Sequence, residues 1–277
     1  EILMWNAASI DTFKQKISIT VYNGTELSGF LSGSIVLTPD RLWLVNGSTR
    51  LTTGSTLQIL PGTRLIINGT FDNRGSIVAI GTPDSMIFIE GPQMAGSGIY
   101  KYVNFDLNKS DLTGTYFENC KINNCHAAFG NYRYCEFNII EEIQTQSLKD
   151  CKINSMICRG AYAFVTDTLK DCVISNSVFQ SGIHTNFLVN NVITNTFFPN
   201  FDDYPGIPIG KKLKHNIFQN IKNLLIYYYP NYPPAYFKNA FLIKMMETNF
   251  VDYLENVFLF DKNHRYYNIL RTEGSVD

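Results

Sequence analysis

The sequence predicts an all-β fold, a parallel β-helix (solenoid) of roughly a dozen coils, and a repeated six-residue pattern is the main reason. In each copy an apolar residue is followed by two variable residues, then Cys, Asn or Val, one variable residue, and Phe or Ile. The copies are too short and too rich in β-branched and aromatic residues to be helix pairs. They occupy residues 100–105, 117–122, 132–137, 148–153, 169–174, 188–193, 213–218, 236–241 and 253–258.

The spacing between the copies varies along the chain. Successive middle residues, from Val103 to Asn256, are separated by 17, 15, 16, 21, 19, 25, 23 and 17 residues. Such irregular spacing excludes a coiled-coil heptad and the helical solenoids that have a fixed period. Because a strand of this length cannot bury its apolar side alone, we expect coils stacked about 4.8 Å apart around one narrow core.

Stacking of this kind places like residues above like residues. The middle position of the pattern is therefore predicted to form one buried column of Cys120, Cys135, Cys151, Cys172, Asn191, Asn216, Asn239 and Asn256. A stacked Asn can hydrogen-bond along the column and to backbone groups at a bend, whereas a buried Cys acts as a small hydrophobe. Cys125 and Cys158 lie outside this position, and a disulfide between them stays open because connectivity cannot be read from sequence.

The ends of the stack need protection, because an exposed strand edge can pair with another chain. Residues 6–17 predict an N-terminal capping helix, since Ile10, Phe13 and Ile17 fall on one helical face; an extra edge strand is the alternative. The chain is accordingly divided into an N-terminal cap and first strand (1–34), the parallel β-helix (35–260) and a C-terminal closing segment (261–277).

The segment between the cap and the repeats, residues 42–91, alternates short apolar strands with turn signals. Its pieces are LQI (57–59), PGT (61–63), LII (65–67), NGT (68–70), GTP (81–83) and IFI (87–89). With the asparagine at the bend of the later repeats, they resemble the right-handed parallel β-helix of the pectin-lyase-like superfamily, in particular bacterial surface-exposed β-helix proteins. The resemblance implies a single-stranded right-handed β-helix. It leaves activity open, because the superfamily holds lyases, hydrolases, adhesins and phage tailspikes.

Length and composition agree with one elongated domain. The 277 residues are 45% hydrophobic and carry a net charge of −1, which provides apolar chain for a continuous core. This charge gives no whole-molecule reason to expect nucleic acid as a partner. No apolar run approaches the ~20 residues that a membrane-spanning helix needs. The cysteines and histidines show no metal-ligand spacing, so neither a metal nor another cofactor is expected.

Candidate catalytic groups are few, and no catalytic residue is predicted. By resemblance, the hydrolases of the superfamily need paired acids with Gly-His-Gly and Arg-Ile-Lys elements, and Asp202-Asp203 stands without either. The four histidines fall at unrelated positions of the repeat. A basic stripe is the alternative site, because one position of the repeat is occupied by Lys101, Arg133, Lys149, Lys170 and Lys214. Such a stripe suits a polysaccharide lyase, but it is also typical of the solvated side of a strand.

The two longest connections give the stronger functional signal. They are consecutive and contain residues 197–212 and 226–236, so we expect these loops to leave neighbouring coils at similar points and to lie side by side. Tyrosine rings beside carboxylates suit sugars, which present an apolar face and a rim of hydroxyls. Packing against the rod, or a protein contact, is the alternative. The predicted ligand-binding residues are Asp202, Asp203, Tyr204, Tyr227, Tyr228, Tyr229 and Tyr232.

Together these observations predict a surface-displayed or secreted, non-catalytic β-helix rod that is carbohydrate-binding or adhesin-like. Its expected partner is a glycan or cell-surface polysaccharide, and its expected location is extracellular or at the cell surface. The alternatives are a polysaccharide lyase or hydrolase, and a phage tailspike or other structural component of a virion. A cluster of perturbed titratable residues in a groove would favour an enzyme, and a trimer would favour a tailspike.

Overall fold

The computed structural model describes residues 2–4, 13–15, 24–91, 94–158, 163–179, 182–197, 207–228 and 235–244, and every regular element in these ranges is a β-strand. The main body is a parallel β-solenoid of about 9 turns, which confirms the predicted fold class. The expected dozen coils is wrong. One reason is that the repeat at 236–241 folds back instead of adding a coil. In the described ranges, no helix is long and apolar enough to cross a membrane.

The N-terminal strands are short, and three of them make one coil. They are β1 (Ile2–Met4), β2 (Phe13–Gln15), β3 (Thr25–Glu26), β4 (Gly29–Leu31), β5 (Ser34–Leu37), β6 (Leu42–Val45), β7 (Ser48–Leu51), β8 (Thr56–Ile59), β9 (Arg64–Ile67), β10 (Thr70–Asn73), β11 (Ser76–Ile80), β12 (Ile87–Glu90), β13 (Met94–Ala95) and β14 (Gly98–Lys101). From β3 to β12 each strand pairs in parallel with the strand three elements later. Face A thus consists of β3, β6, β9 and β12, face B of β4, β7, β10 and β13, and face C of β5, β8, β11 and β14.

The strands of the repeat region are longer. They are β15 (Val103–Glu118), β16 (Lys121–Arg133), β17 (Glu136–Lys149), β18 (Lys152–Cys158), β19 (Phe164–Lys170), β20 (Val173–Ser175), β21 (Val178–Phe179), β22 (His184–Val189), β23 (Val192–Phe197), β24 (Ile207–Lys214), β25 (Ile217–Tyr228) and β26 (Ala235–Lys244). The last residues of β15 pair with β14 and so continue face C. Face C is then extended, one strand after another, by the C-terminal residues of β16, β17, β19, β22 and β24.

The described part of the N-terminal segment is strand, not the predicted capping helix. β2 contains Phe13, one residue of the expected apolar helix face, and pairs antiparallel with β1. A helix of about 12 residues is marginal in water, whereas strand pairing supplies partners for the backbone groups. The remaining residues of the predicted helix, 6–12 and 16–17, lie outside the described ranges.

At its C-terminal end the stack reverses direction. β26 pairs antiparallel with β25, so that Lys222 lies opposite Asn239. Asn239 therefore does not stack on Asn216, and its predicted place in the middle column is wrong. Only residues 229–234 separate the two strands, a connection whose length suits an antiparallel pair. The next predicted member, Asn256, lies outside the described residues.

The middle column is confirmed from Cys120 to Asn216. Cys172 donates its backbone N–H to Asn191 Oδ1 at 2.9 Å, and Asn191 donates its own to Asn216 Oδ1 at 2.9 Å. The amide nitrogens point to the preceding coil, where Asn191 Nδ2 donates to the Leu169 carbonyl at 2.9 Å and Asn216 Nδ2 to the Leu188 carbonyl at 2.8 Å. The column members are at most 2% exposed: Cys120, Cys135, Cys151, Cys172, Asn191 and Asn216.

The residue before the middle position of each repeat, from Val103 to Asn216, makes a bend in the left-handed backbone region. These residues have φ between 52° and 55°, and they are Tyr102, Asn119, Tyr134, Asp150, Asp171, Asn190 and His215. Asn and Asp tolerate this conformation better than other residues with a side chain. Because a bend interrupts the strand ladder, the middle-column side chains supply the hydrogen bonds that neighbouring backbone groups need.

The core beside this bend contains an aromatic stack. The Tyr100 and Phe117 ring centroids are 4.9 Å apart, and those of Phe117 and Tyr132 are 4.6 Å apart, with nearly parallel planes. A Cβ atom at Gly114 would lie 2.5 Å from the Phe117 ring, so the adjoining wall requires glycine there. The hydroxyls of Tyr100 and Tyr132 are buried and have no hydrogen-bond partner among the described residues.

We expect Asn216→Leu to lower the free energy of unfolding by on the order of 1–3 kcal/mol. The substitution removes the acceptor of the Asn191 N–H and the donor to the Leu188 carbonyl, and both groups are buried. Chemical denaturation would measure the change. The matched control is Gln219→Leu on the same coil, because Gln219 is exposed and its backbone is not left-handed. Equal effects of the two variants would contradict a buried structural function for Asn216.

For Tyr132→Phe we expect unchanged or slightly raised stability, by no more than about 1–2 kcal/mol, because the change removes a buried hydroxyl without a partner. Tyr132→Ala should instead lower stability by about 3–5 kcal/mol, since it empties the stack. Thermal and denaturant unfolding of both variants would test this difference. A clear loss of stability in Tyr132→Phe would show that the Tyr132 hydroxyl has a hydrogen-bond partner.

Candidate functional site

Face C presents two outward columns of side chains in continuous register. The first column consists of Ile99, Tyr116, Asn131, Ser147, Thr168 and Phe187, each paired with the next. The second lies two residues further along each strand and consists of Lys101, Glu118, Arg133, Lys149, Lys170 and Val189. The residue between the two columns points into the core, because strand side chains alternate between faces.

The middle of face C forms a shallow trough that runs parallel to the rod axis. Its floor is made of short, half-buried side chains, those of Asn131, Ser147 and Thr168. One wall is the cationic row, made of the long, exposed side chains of Arg133, Lys149 and Lys170. Rings of Tyr116 and Phe187 mark the two ends, which are four strand spacings or about 19 Å apart. We call this surface, floor, wall and ends together, the trough.

The cationic row holds three of the basic-stripe residues next to one another. Arg133 pairs in register with Lys149, and Lys149 with Lys170. Arg133 Nε lies 3.7 Å from Asp150 Oδ2, and Lys170 Nζ lies 3.4 Å from Asp171 Oδ2. Lys149 forms no ion pair with any residue that the structure describes. The row therefore contains two partly neutralised cations and one that is not neutralised.

Aromatic rings accompany the cations of face C. The Arg133 guanidinium lies 4.7 Å from the centroid of the Tyr134 ring, and it donates a hydrogen bond of 2.9 Å to the Tyr134 hydroxyl. Lys101 Nζ lies 5.9 Å from the Tyr116 ring centroid and 2.6 Å from Glu118 Oε2. The hydrogen bond to Glu118 raises the pKa of Lys101. Near the N-terminal end of the trough, apolar ring surface is thus exposed beside charge.

The opposite side of the trough is a polar corner formed by Gln146, Asp167 and Asn186. Asn186 Nδ2 donates to Asp167 Oδ1 at 2.8 Å, and the Thr168 hydroxyl donates to Asp167 Oδ2 at 3.3 Å. Gln146 and Asp167 are exposed, and Asn186 and Thr168 are half-buried. A ligand in the trough would therefore meet amide and carboxylate groups on one side and cations on the other.

The tyrosine-rich loops adjoin the C-terminal end of face C. Tyr227 and Tyr228 end β25, where their backbones pair with Pro208 and Ile209 of β24. β24 follows the first loop and continues both columns of face C, with Lys214 next to Val189 and not next to Lys170. The residues at which the two loops join β24 and β25 are therefore neighbours in the strand pairing. The other predicted ligand-binding residues, Asp202, Asp203, Tyr204, Tyr229 and Tyr232, lie outside the described residues.

An imidazole–carboxylate pair outside face C was missed by the sequence analysis. His126 Nδ1 lies 2.8 Å from Asp111 Oδ1. This hydrogen bond is the main cause of a raised His126 pKa, and the charges of Glu141 and Glu142 on the next coil add to it. Asp111 lies where the register of β15 against β16 shifts, so repeat spacing could not align it with His126. Within the described ranges, no hydroxyl or thiol is hydrogen-bonded to this ring.

The cysteines form no disulfide in this structure. All six are free and buried. Cys125 pairs with Ile140, and Ile140 with Met156, so two coils separate Cys125 from the coil of Cys158, too far for the bridge left open above. Burial raises the pKa of Cys125 and of Cys158 to about 12 each, so these thiols are protonated at neutral pH. Among the described residues, no group of three or more His, Cys, Asp or Glu side chains is arranged to hold a metal ion.

Comparison with known proteins does not assign the chain to a family. No family model, curated protein or solved structure matches it. The fold is therefore known from the structure alone, and function has to be argued from the surface of the solenoid.

The His126–Asp111 pair should contribute to stability in a pH-dependent way. Because the folded pKa of His126 is raised, the contribution is fully present below the unfolded value of about 6.5 and is lost as pH rises through the folded value. We expect Asp111→Asn to lower the His126 pKa, as followed by NMR titration of the imidazole. Glu141→Gln, which removes a nearby negative charge but leaves the hydrogen bond to Asp111 in place, tests for a general charge effect. The same His126 titration midpoint in wild type and Asp111→Asn would contradict the pairing.

Proposed function

We propose that the chain is a surface-displayed or secreted, non-catalytic β-solenoid rod that binds a carbohydrate chain along face C. The trough is the observation that carries this proposal. Its floor of Asn131, Ser147 and Thr168 offers hydroxyl and amide groups on consecutive coils, at a repeat close to the length of one sugar unit. Sugars need such a mixture of hydrogen-bonding groups and flat apolar surface, and rings of Tyr116 and Phe187 stand at the two ends.

The tyrosine-rich loops extend the proposed site. The backbone pairing of Tyr227 and Tyr228 with β24 supports this extension, because β24 is the continuation of face C. We propose that Tyr204, Tyr229 and Tyr232 add stacking surface there, beside the acceptors of Asp202 and Asp203. In this arrangement one glycan would contact both the trough and the loops.

The proposed family is the right-handed β-helix of the pectin-lyase-like superfamily, and the proposed location is extracellular or at the cell surface. Two observations support the family. The parallel solenoid has the expected architecture, and Asn191 and Asn216 lie at a bend as in the resembling repeats. The resemblance to surface-exposed β-helix proteins supports the proposed location.

A polysaccharide lyase is the second candidate, and the cationic row favours it. A lyase needs a base close to a group that neutralises the sugar carboxylate, and Lys149 and Lys170 are neighbours in register. Incubation with pectate, alginate and glycosaminoglycans should give no unsaturated product if the rod only binds. Product that forms with the wild type and disappears with Lys170→Ala would replace the binding proposal by a lyase.

Glycan-array binding of the purified chain tests the proposed function. Replacing Tyr228 and Tyr232 by Ala should weaken binding strongly without lowering the melting temperature, because in this proposal the two rings stack on the ligand and contribute little to the core. The matched control replaces both by Phe, which keeps the rings and should keep most of the affinity. A double Ala variant that retains its ligand, or that unfolds, would show that these rings are packing. Stacking also predicts that affinity depends only weakly on salt.

A further inference from the structure

We propose that the trough selects a sparsely charged acidic glycan, one that carries a single carboxylate among neutral sugars, over both a neutral chain and a polyanion. The carboxylate would pair with Lys149. This inference rests on the proposed carbohydrate binding and specifies the class of ligand.

Most of the cations of face C lie next to an acidic residue. Lys101 is paired with Glu118, and Lys170 lies beside Asp171. Arg133 lies near Asp150 and also contacts Tyr134. Lys149 stands between these groups, is exposed, and has no ion-pair partner in the described part of the chain. A ligand carboxylate therefore finds one available cation, and it finds it in the middle of the row.

Lys149 lies midway between the two aromatic ends of the trough. On its strand Lys149 lies two residues from Ser147, which is the central residue of the floor. Tyr116 lies two coils from Ser147 in one direction, and Phe187 lies two coils away in the other. An acidic sugar beside Lys149 would thus have neutral sugars on both sides, whose apolar faces can reach the rings.

Carboxylates surround the trough. Asp150 and Asp171 lie behind the cationic row, Asp167 lies on the opposite corner, and Glu118 lies beside Tyr116. A polymer with a carboxylate on each sugar would bring negative charge to every coil of the trough. Those charges would lie within the Debye length of about 8 Å of the protein carboxylates, where repulsion is not fully screened. The surface therefore disfavours a polyanion while it attracts a single acid.

The test compares three hexasaccharides on the whole chain by calorimetry: a neutral β-linked glucose chain, the same chain with one internal glucuronate, and a hexaglucuronate. We expect the singly acidic chain to bind roughly two- to fivefold more tightly than the neutral chain, as one exposed ion pair allows. The hexaglucuronate should bind more weakly than the singly acidic chain. The reverse order for these two acidic ligands would overturn the inference.

The variant Lys149→Met tests whether the Lys149 charge causes the preference, because it removes the charge but keeps an apolar side chain of similar length. It should erase the preference for the singly acidic chain, so that the ratio of the dissociation constants of the neutral and the singly acidic chain falls to about one. Lys152→Met is the matched control, since Lys152 is exposed beyond the bend on the next strand and should alter neither affinity. A preference that survives Lys149→Met would overturn the inference and leave the proposed function standing. No binding of any of the three chains to the wild type would count against the trough itself.

The double variant Asp150→Asn, Asp171→Asn tests the repulsion. Asn is tolerated at both bends, as Asn119 and Asn190 show at the equivalent positions, so the fold should persist. Binding of the hexaglucuronate should tighten severalfold and become more dependent on salt. Unchanged hexaglucuronate binding, with circular dichroism and the melting temperature as wild type, would contradict selection by these carboxylates.

Discussion

The bend before the middle column is the constraint on which the rest of the structure depends. In the repeat region a residue with a left-handed backbone turns the chain at each coil, and from Cys120 onward the next side chain makes hydrogen bonds to the interrupted backbone. Asn191 and Asn216 do this with both amide atoms, which face neighbouring coils. In the earlier coils Cys is sufficient, and its thiol contacts the carbonyl two residues before it, as for Cys151 at 3.0 Å. The connections can vary in length because this local unit stays constant.

Because the bend keeps the register of the coils constant, the surface residues beside it are also aligned from coil to coil. The columns of face C lie three residues and one residue before the bend residue, so a side chain there has little freedom to shift along the strand. Arg133, Lys149 and Lys170 are therefore neighbours although 16 and 21 residues separate them in the chain. A solenoid produces rows of side chains and open troughs more readily than enclosed pockets. Binding to an extended polymer is the function that such a surface serves most directly.

Two of the bend residues also set the charge of the proposed site. Asp150 and Asp171 adopt the left-handed backbone that the fold needs, and their carboxylates lie close to Arg133 and Lys170. Each ion pair is exposed and contributes little to stability. In the proposed site its effect on recognition would be larger, because it determines which cation is left for a ligand. The same residues would then serve both the fold and the proposed specificity.

The sequence by itself determined the solenoid, the buried column from Cys120 to Asn216 and the alignment of Arg133 with Lys149 and Lys170. These follow from a one-dimensional repeat, because stacked parallel strands bring equal positions together. Only the tertiary structure decided the reversal at β26, since a matching motif does not specify chain direction. It also decided the contact of His126 with Asp111, which crosses a register shift, and the isolation of Lys149, which depends on where neighbouring carboxylates point. Such features arise from three-dimensional neighbours that repeat spacing does not encode.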